Sequence, residues 1–280
     1  MSVVPMKVIR HELKNPQMGL ILRDSFYARM AKGFPMLATN PSELLSLGRE
    51  ILAKMGASVA NGLPVKEVYK DLTIATNLGE RHFLQAARLP VPDKLDLGDI
   101  KPIIGAQPIS RFLELDYWLP FLRAAYLVRS SKCLRSLIDS AHSLWGTDFQ
   151  KAGSILTELE ANFHASLILE KGSDAQNFLE DIFRLQQGSS DPHWLFLGAP
   201  EYQVWRCVLA KDPREMNLAL KEALESHKTF WSTDDKRSRD AGWISLPLLH
   251  ACAYAHDHGM EIEVESDYIP RWLYLGEGIK

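Results

Sequence analysis

Residues 212–277 read DPREMNLALKEALESHKTFW (212–231), STDDKRSRDAGW (232–243), ISLPLLHACAYAHDHGM (244–260) and EIEVESDYIPRWLYLGE (261–277). The pattern predicts a helix, a loop, a second helix and an extended segment in that order. Asp212 is a typical N-cap residue, Pro213 suits the first helical turn, and Glu215 follows three residues after the cap. Gly259 provides a stop for the second helix.

The two predicted helices differ in how they distribute apolar residues. In the first, Met216, Leu220 and Leu224 recur at helical spacing, so one face is apolar and the other is exposed. The second, from Ser245 to His256, is apolar on nearly every side and should be central.

The extended segment, residues 261–267, alternates charged and apolar residues. Its charged side carries four carboxylates, here called the acidic ladder: Glu261, Glu263, Glu265 and Asp267. Like charges this close repel one another, which disfavours ordinary sheet pairing. One interpretation is a negative surface kept for a basic partner. The other is a solvated edge strand whose charge prevents aggregation, and the sequence leaves both open.

The rest of the chain is also predicted to be helical. Helix starts are expected at Asn40–Glu43, at Pro64, and at capping boxes in 147–150 and 173–176, with further helices over 109–128, 131–144 and 200–209. These patterns predict an all-α protein of about nine or ten helices, packed as a bundle or as stacked hairpins, with a short extended segment near the C-terminus.

The long non-helical stretch is Leu89 to Gln107, which is rich in Pro and Gly. A loop packed across a single domain, 1–280, is the preferred interpretation. The alternative is a linker that separates an N-terminal helical part, 1–88, from a main helical part, 108–280.

Composition excludes several classes of protein. The net charge is −3 and basic residues are dispersed, so nucleic-acid binding is not indicated. No run approaches the roughly 20 apolar residues of a membrane-spanning helix, and no signal peptide is evident. Three widely spaced cysteines suit buried thiols in a reducing compartment, so a soluble cytoplasmic protein is expected.

Four short stretches together resemble the C-terminal half of Imm49-type immunity proteins of bacterial polymorphic toxin systems: Ala241-Gly242-Trp243, Ser245–His256, Asp257-His258-Gly259 and Ser266–Pro270. The resemblance implies a mostly helical protein that binds and neutralises a cognate toxin, such as a nuclease or another secreted effector. No catalytic residue, cofactor or metal is then expected. From charge and exposure, we expect the toxin to contact the acidic ladder with Asp234 and Asp235 of the neighbouring loop.

Two other classes stay open. His256-Asp257 is similar to the metal-binding doublet of HD-type phosphohydrolases, with His227 as the upstream ligand, but Asp267 is the sole later Asp. Cys252 and His256, one helical turn apart, offer a second metal interpretation, although end-of-helix histidines are commonly satisfied by free carbonyls. The second open class is a helical scaffold protein that binds a partner other than a toxin.

Overall fold

A computed structural model of the chain describes residues 6–92, 95, 104–105, 115–144 and 155–279. Over these residues the protein is mainly α-helical, as predicted, with eleven α-helices and one pair of three-residue strands. The strands are β1 (Met6–Val8) and β2 (Val264–Ser266), and the helices are α1 (Pro16–Gly33), α2 (Glu43–Ala60), α3 (Val65–Ala86), α4 (Leu115–Leu127), α5 (Ser131–Leu144), α6 (Ile155–Ile168), α7 (Gly172–Leu185), α8 (Ala199–Leu209), α9 (Pro213–Trp231), α10 (Leu246–Asp257) and α11 (Arg271–Leu275).

The chain divides into two compact units. The N-terminal unit, Pro16–Glu158, holds α1 to α5, and the C-terminal unit, residues 6–15 with Leu159–Gly278, holds both strands and α7 to α11. The single domain over 1–280 remains a prediction, and so does the alternative division into 1–88 and 108–280.

In the N-terminal unit, α3 is the helix on which α2, α4 and α5 pack. Buried Trp118 of α4 donates its indole N–H to the carbonyl of Leu137 on α5, 2.9 Å away. Part of the predicted loop 89–107 is also held here. The N–H of Gly105 donates to the carbonyl of Leu37 (2.9 Å), and the Gln85 side-chain amide donates to the carbonyl of Gly105 (2.6 Å).

In the C-terminal unit, α8 occupies the centre, in contact with α7, α9 and α10. Its Trp205 is fully buried and packs edge-on against Phe163, His164 and His250. Helix α10 buries seven of its twelve residues and exposes only the last two, His256 and Asp257, which agrees with the predicted central position. None of the helices that the structure describes is long and apolar enough to cross a membrane.

Among the strands and α-helices, β1, α1 and α11 were not predicted. Helix α1 escapes the periodicity argument because apolar residues lie on both its sides: Phe26 and Met30 are buried, whereas Met18 and Ile21 are exposed. Helix α11 is too short to show a period. One predicted start is wrong, because α7 begins at Gly172, ahead of the capping box at 173–176. The predicted capping box at 147–150 and the beginning of the predicted helix 109–128, residues 109–114, lie outside the described residues.

Candidate partner-binding surface

Helix α9 is the support on which the acidic segment lies. As predicted, the Asp212 carboxylate caps it, accepting from the backbone N–H of Glu215 at 3.0 Å, and Pro213 lies in the first turn. Both strands contact α9. The buried side of the helix carries two polar residues, Asn217 and His227, and both hold neighbouring segments in place.

The acidic segment alternates as predicted. All four carboxylates of the acidic ladder are exposed, whereas Val264 and Tyr268 between and after them are buried. Buried Asn217 fixes the backbone of this segment. Its amide N–H donates to the carbonyl of Glu261 at 2.9 Å, and its oxygen accepts from the N–H of Glu263 at 2.8 Å. The carboxylates are thus held toward solvent by a rigid attachment to α9.

The expectation that these charges disfavour sheet pairing is wrong for residues 264–266. Strand β2 pairs in parallel with β1, and the register places Lys7 opposite Glu265. The Arg10 guanidinium donates to the backbone carbonyl of Asp267 at 2.5 Å. Cross-strand pairs of opposite charge favour pairing, and Arg10, which lies just after β1, interacts electrostatically with Asp267. Lys7 and Arg10 therefore offset part of the repulsion at this end of the acidic ladder.

Behind the strand pair lies a buried cluster of His11, Tyr268 and His227. The Tyr268 hydroxyl accepts from the backbone N–H of His11 at 3.0 Å and lies 2.6 Å from Nδ1 of the same histidine. The His227 ring packs edge-on to Tyr268 at 4.7 Å between centroids, and its Nε2–H donates to the Gly242 carbonyl at 3.1 Å. Burial lowers the pKa of His227 to about 4, so this histidine is neutral in the folded protein at neutral pH.

This cluster predicts acid sensitivity. An unfolded histidine titrates near 6.5, and the folded His227 only near 4. Between these values the unfolded state binds more protons, so stability is full above about pH 6.5 and falls as pH drops toward 4. The His227 contribution to this loss is at most about 3 kcal/mol. Burial lowers the pKa of His11 as well, which acts in the same direction.

Urea unfolding at several pH values between 7 and 4 measures this loss, and His227→Gln is the comparison, since glutamine keeps a donor without titrating. The slope of stability against pH should be shallower in the variant. An identical slope would show that His227 does not carry the effect.

The loop residues Asp234 and Asp235 are exposed, as expected of partner contacts, but their own contacts stay within the loop. Asp234 pairs with Arg237 at 3.0 Å, and a hydrogen bond from Thr233 lowers the pKa of Asp235. The loop itself is fastened by the indole N–H of buried Trp243, which donates to the carbonyl of Arg237 at 3.2 Å. The structure therefore places the acidic ladder on one side of an extended segment and the two aspartates in the loop between α9 and α10.

The residues of the phosphohydrolase alternative are differently disposed. His256 and Asp257 are exposed in the last turn of α10, whereas His227 is buried with Nε2 committed to Gly242. Cys252, the other metal candidate, is buried, and burial raises its thiol pKa. Within the described ranges, no group of three or more His, Cys, Asp or Glu side chains is placed to hold a metal ion. At the helix end, His258 donates to the Tyr254 carbonyl at 2.8 Å, as end-of-helix histidines commonly do.

The sequence argument missed Asn217, Lys7, Arg10 and His11. Asn217 did carry a signal: it is spaced three and seven residues before Leu220 and Leu224, so a polar amide stood in the apolar stripe of α9. The three N-terminal residues carried none, because their partners lie about 250 positions later in the chain.

The family model described as Immunity protein 49 matches residues 64–273, which is most of the chain. The chain belongs to this family. No match was found among curated proteins or among solved structures.

Membership of the Immunity protein 49 family confirms the resemblance drawn from Ala241-Gly242-Trp243 and the segments after it. In this family member the Gly242 position is structural: a Cβ there would lie 2.3 Å from Cδ2 of Trp231. The carbonyl of Gly242 also accepts the hydrogen bond from His227. These residues hold the loop against α9.

Proposed function

We propose that this protein neutralises one cognate toxin by binding it directly. The observation that carries the proposal is the match of the Immunity protein 49 family model over residues 64–273. The proposed setting is the bacterial cytoplasm, which the three free, buried cysteines fit. An inhibitor of this kind needs a rigid surface and fast association, because free toxin must be captured before it acts.

The acidic ladder is the proposed steering element for a basic toxin. In support, its four carboxylates are exposed on one side of a segment that α9 holds through Asn217. Lys7 and Arg10 lie at the Glu265–Asp267 end. Glu261 and Glu263 at the other end have no ion pair within the described part of the chain. If the toxin is a nuclease, these carboxylates would occupy the place of nucleic-acid phosphates.

Reversing the charge of Glu261, Glu263 and Glu265 to lysine should slow association with the toxin by about tenfold or more at low ionic strength. The difference should shrink as salt is added, because exposed charges are screened. Stopped-flow or surface-based kinetics over a salt series measures both effects. A control with the same change in net charge is Glu170→Lys, Glu180→Lys and Glu222→Lys, at exposed positions elsewhere in the unit. Unchanged toxin affinity in the ladder variant would refute the steering role.

The function itself is tested by purifying the tagged protein from its native lysate, identifying a stoichiometric partner, and expressing that partner with and without this protein. A partner that kills cells alone and is silenced by this chain supports the proposal. A harmless partner points to a scaffold. Absence of a partner, with a divalent metal retained and lost on His256→Ala, points to the phosphohydrolase.

A further inference from the structure

An exposed aromatic cluster lies on the C-terminal unit, beside the loop that carries Asp234 and Asp235. Just ahead of α8 the chain makes a π-helical turn, Trp194–Gly198. Trp194 points inward and is buried, whereas the next two residues, Leu195 and Phe196, are 49% and 37% exposed. Contiguous exposed apolar side chains are candidate interaction sites.

The turn is rigidly built. The Trp194 ring stacks on Tyr202 of α8 with 6.0 Å between centroids, and it also covers Gly198, where a Cβ would lie 2.5 Å from Cε3 of the indole. A π-turn adds one residue to each turn and so displaces the side chains beside it; such turns are frequent at functional sites. Here the displacement leaves Leu195 and Phe196 facing outward while Trp194 is locked in the core.

The last turn of α9 extends this cluster. Phe230 is half-buried, and its ring centroid lies 6.4 Å from that of Phe196 and 5.9 Å from that of His193. The Lys236 ammonium lies 3.9 Å above the Phe230 ring, a cation–π contact that keeps the loop at the border of the cluster. The aromatic patch is defined as His193, Leu195, Phe196 and Phe230.

Charged residues of both signs border the aromatic patch, because exposed Arg239 lies in the same loop as Asp234 and Asp235. Asp191 accepts from the backbone N–H of His193 at 3.1 Å, and Asp234 and Asp235 follow Phe230 in the loop. Lys236 is engaged with Phe230, and Arg237 is paired with Asp234. Protein interfaces commonly have an apolar centre surrounded by a polar rim, and the residues at the centre contribute most of the binding energy.

A continuous path of ring contacts joins the aromatic patch to the acidic segment. The Phe230 ring lies 5.2 Å from Trp231, Trp231 lies 6.1 Å from His227, and His227 lies 4.7 Å from Tyr268. Tyr268 directly follows Asp267, the last residue of the acidic ladder. The two features thus belong to one unit and are connected through packed side chains.

We propose that the aromatic patch is the apolar centre of the toxin-binding surface, an inference that rests on the proposed function. The occupant is a toxin that presents an apolar cleft bordered by lysine or arginine side chains, which complement Asp191 and the acidic ladder. The ladder governs the rate of encounter, and Phe196 with Phe230 governs the lifetime of the complex.

The test uses the toxin that the full-length protein neutralises in the co-expression assay. Phe196→Ala and Phe230→Ala are each expected to raise Kd by about tenfold or more, mainly through faster dissociation. The matched control is Leu169→Ala, which truncates another exposed apolar side chain of the same unit, 41% exposed, and should leave Kd unchanged. Thermal unfolding of each variant checks the fold. If Phe230→Ala unfolds, Phe196→Ser at the more exposed position decides the matter.

Kd values within about threefold of wild type in both phenylalanine variants would overturn the assignment of the patch while the neutralising function stands. Failure of the wild-type chain to silence any toxin removes the function itself, which is a different result. Light scattering provides a further test because it measures the oligomeric state. If the wild-type protein is a dimer and Phe196→Ala converts it to a monomer, the patch binds a second copy of this chain and the proposal is overturned.

Discussion

Replacing Asn217 by leucine is expected to destabilise the C-terminal unit by about 3 kcal/mol and to loosen the acidic segment from α9. Asn217 is only 2% exposed, and its amide serves three backbone groups. It donates to the carbonyls of Pro213 (2.8 Å) and Glu261 (2.9 Å) and accepts from the N–H of Glu263 (2.8 Å). Leucine has the same branching at Cγ, so the space stays filled while the partners of these groups are lost.

The energetic reason is that each intramolecular hydrogen bond contributes about 0.5–1.5 kcal/mol to stability, and leucine removes three of them, to Pro213, Glu261 and Glu263. Urea unfolding measures the loss, and hydrogen exchange at the Glu263 amide should become faster. Asn177→Leu, the same substitution at an exposed position of α7, is the control and should change stability by no more than about 0.5 kcal/mol. Equal effects of the two substitutions would mean that Asn217 does not hold the segment.

The second large effect is expected at Gly79 in the N-terminal unit, where Gly79→Leu should cost more than about 3 kcal/mol. A Cβ at this position would lie 2.3 Å from Cγ of Phe121, and one at Gly48 would lie 2.7 Å from Cε1 of the same ring. The Phe121 ring, fully buried, therefore fits between α2 and α3 where neither helix has a side chain. A leucine would force the helices apart or drive the ring from its rotamer.

Gly172→Leu is the matched control, because a Cβ at that position, the first residue of α7, meets nothing within 4 Å. Thermal or urea unfolding of both variants gives the comparison. A double-mutant cycle with Phe121→Ala adds the mechanism: Gly79→Leu should cost less once the ring is removed. If the cost is unchanged in that background, the ring is not the source of the destabilisation.

Local patterns correctly gave α9, α10 and the alternation of residues 261–268, because each of these elements carries its own period. Helix α9 has both a cap at Asp212 and an apolar stripe, and α10 is apolar all round. The same reasoning failed at α1, whose exposed Met18 and Ile21 mask the period of its buried side. It also misplaced the start of α7, since a capping sequence does not require that its side chain be used.

The candidate surface was predictable only in part. Exposure of Glu261, Glu263, Glu265 and Asp267 follows from alternation once Val264 and Tyr268 are buried. The aromatic patch was not predictable, because Phe196 and Phe230 are 34 residues apart and meet only through the π-turn and the last turn of α9.

The amino-acid sequence alone therefore determines the helical class, the family and the period-two acidic segment, because composition, caps and periodicity are properties of neighbouring residues. Only the tertiary structure decides that β1 pairs with β2, that Lys7 and Arg10 offset part of the acidic ladder, and that Asn217 fixes the rest. Such contacts join residues far apart in the chain, and their energies depend on burial and on distances of a few ångströms, which no local pattern encodes.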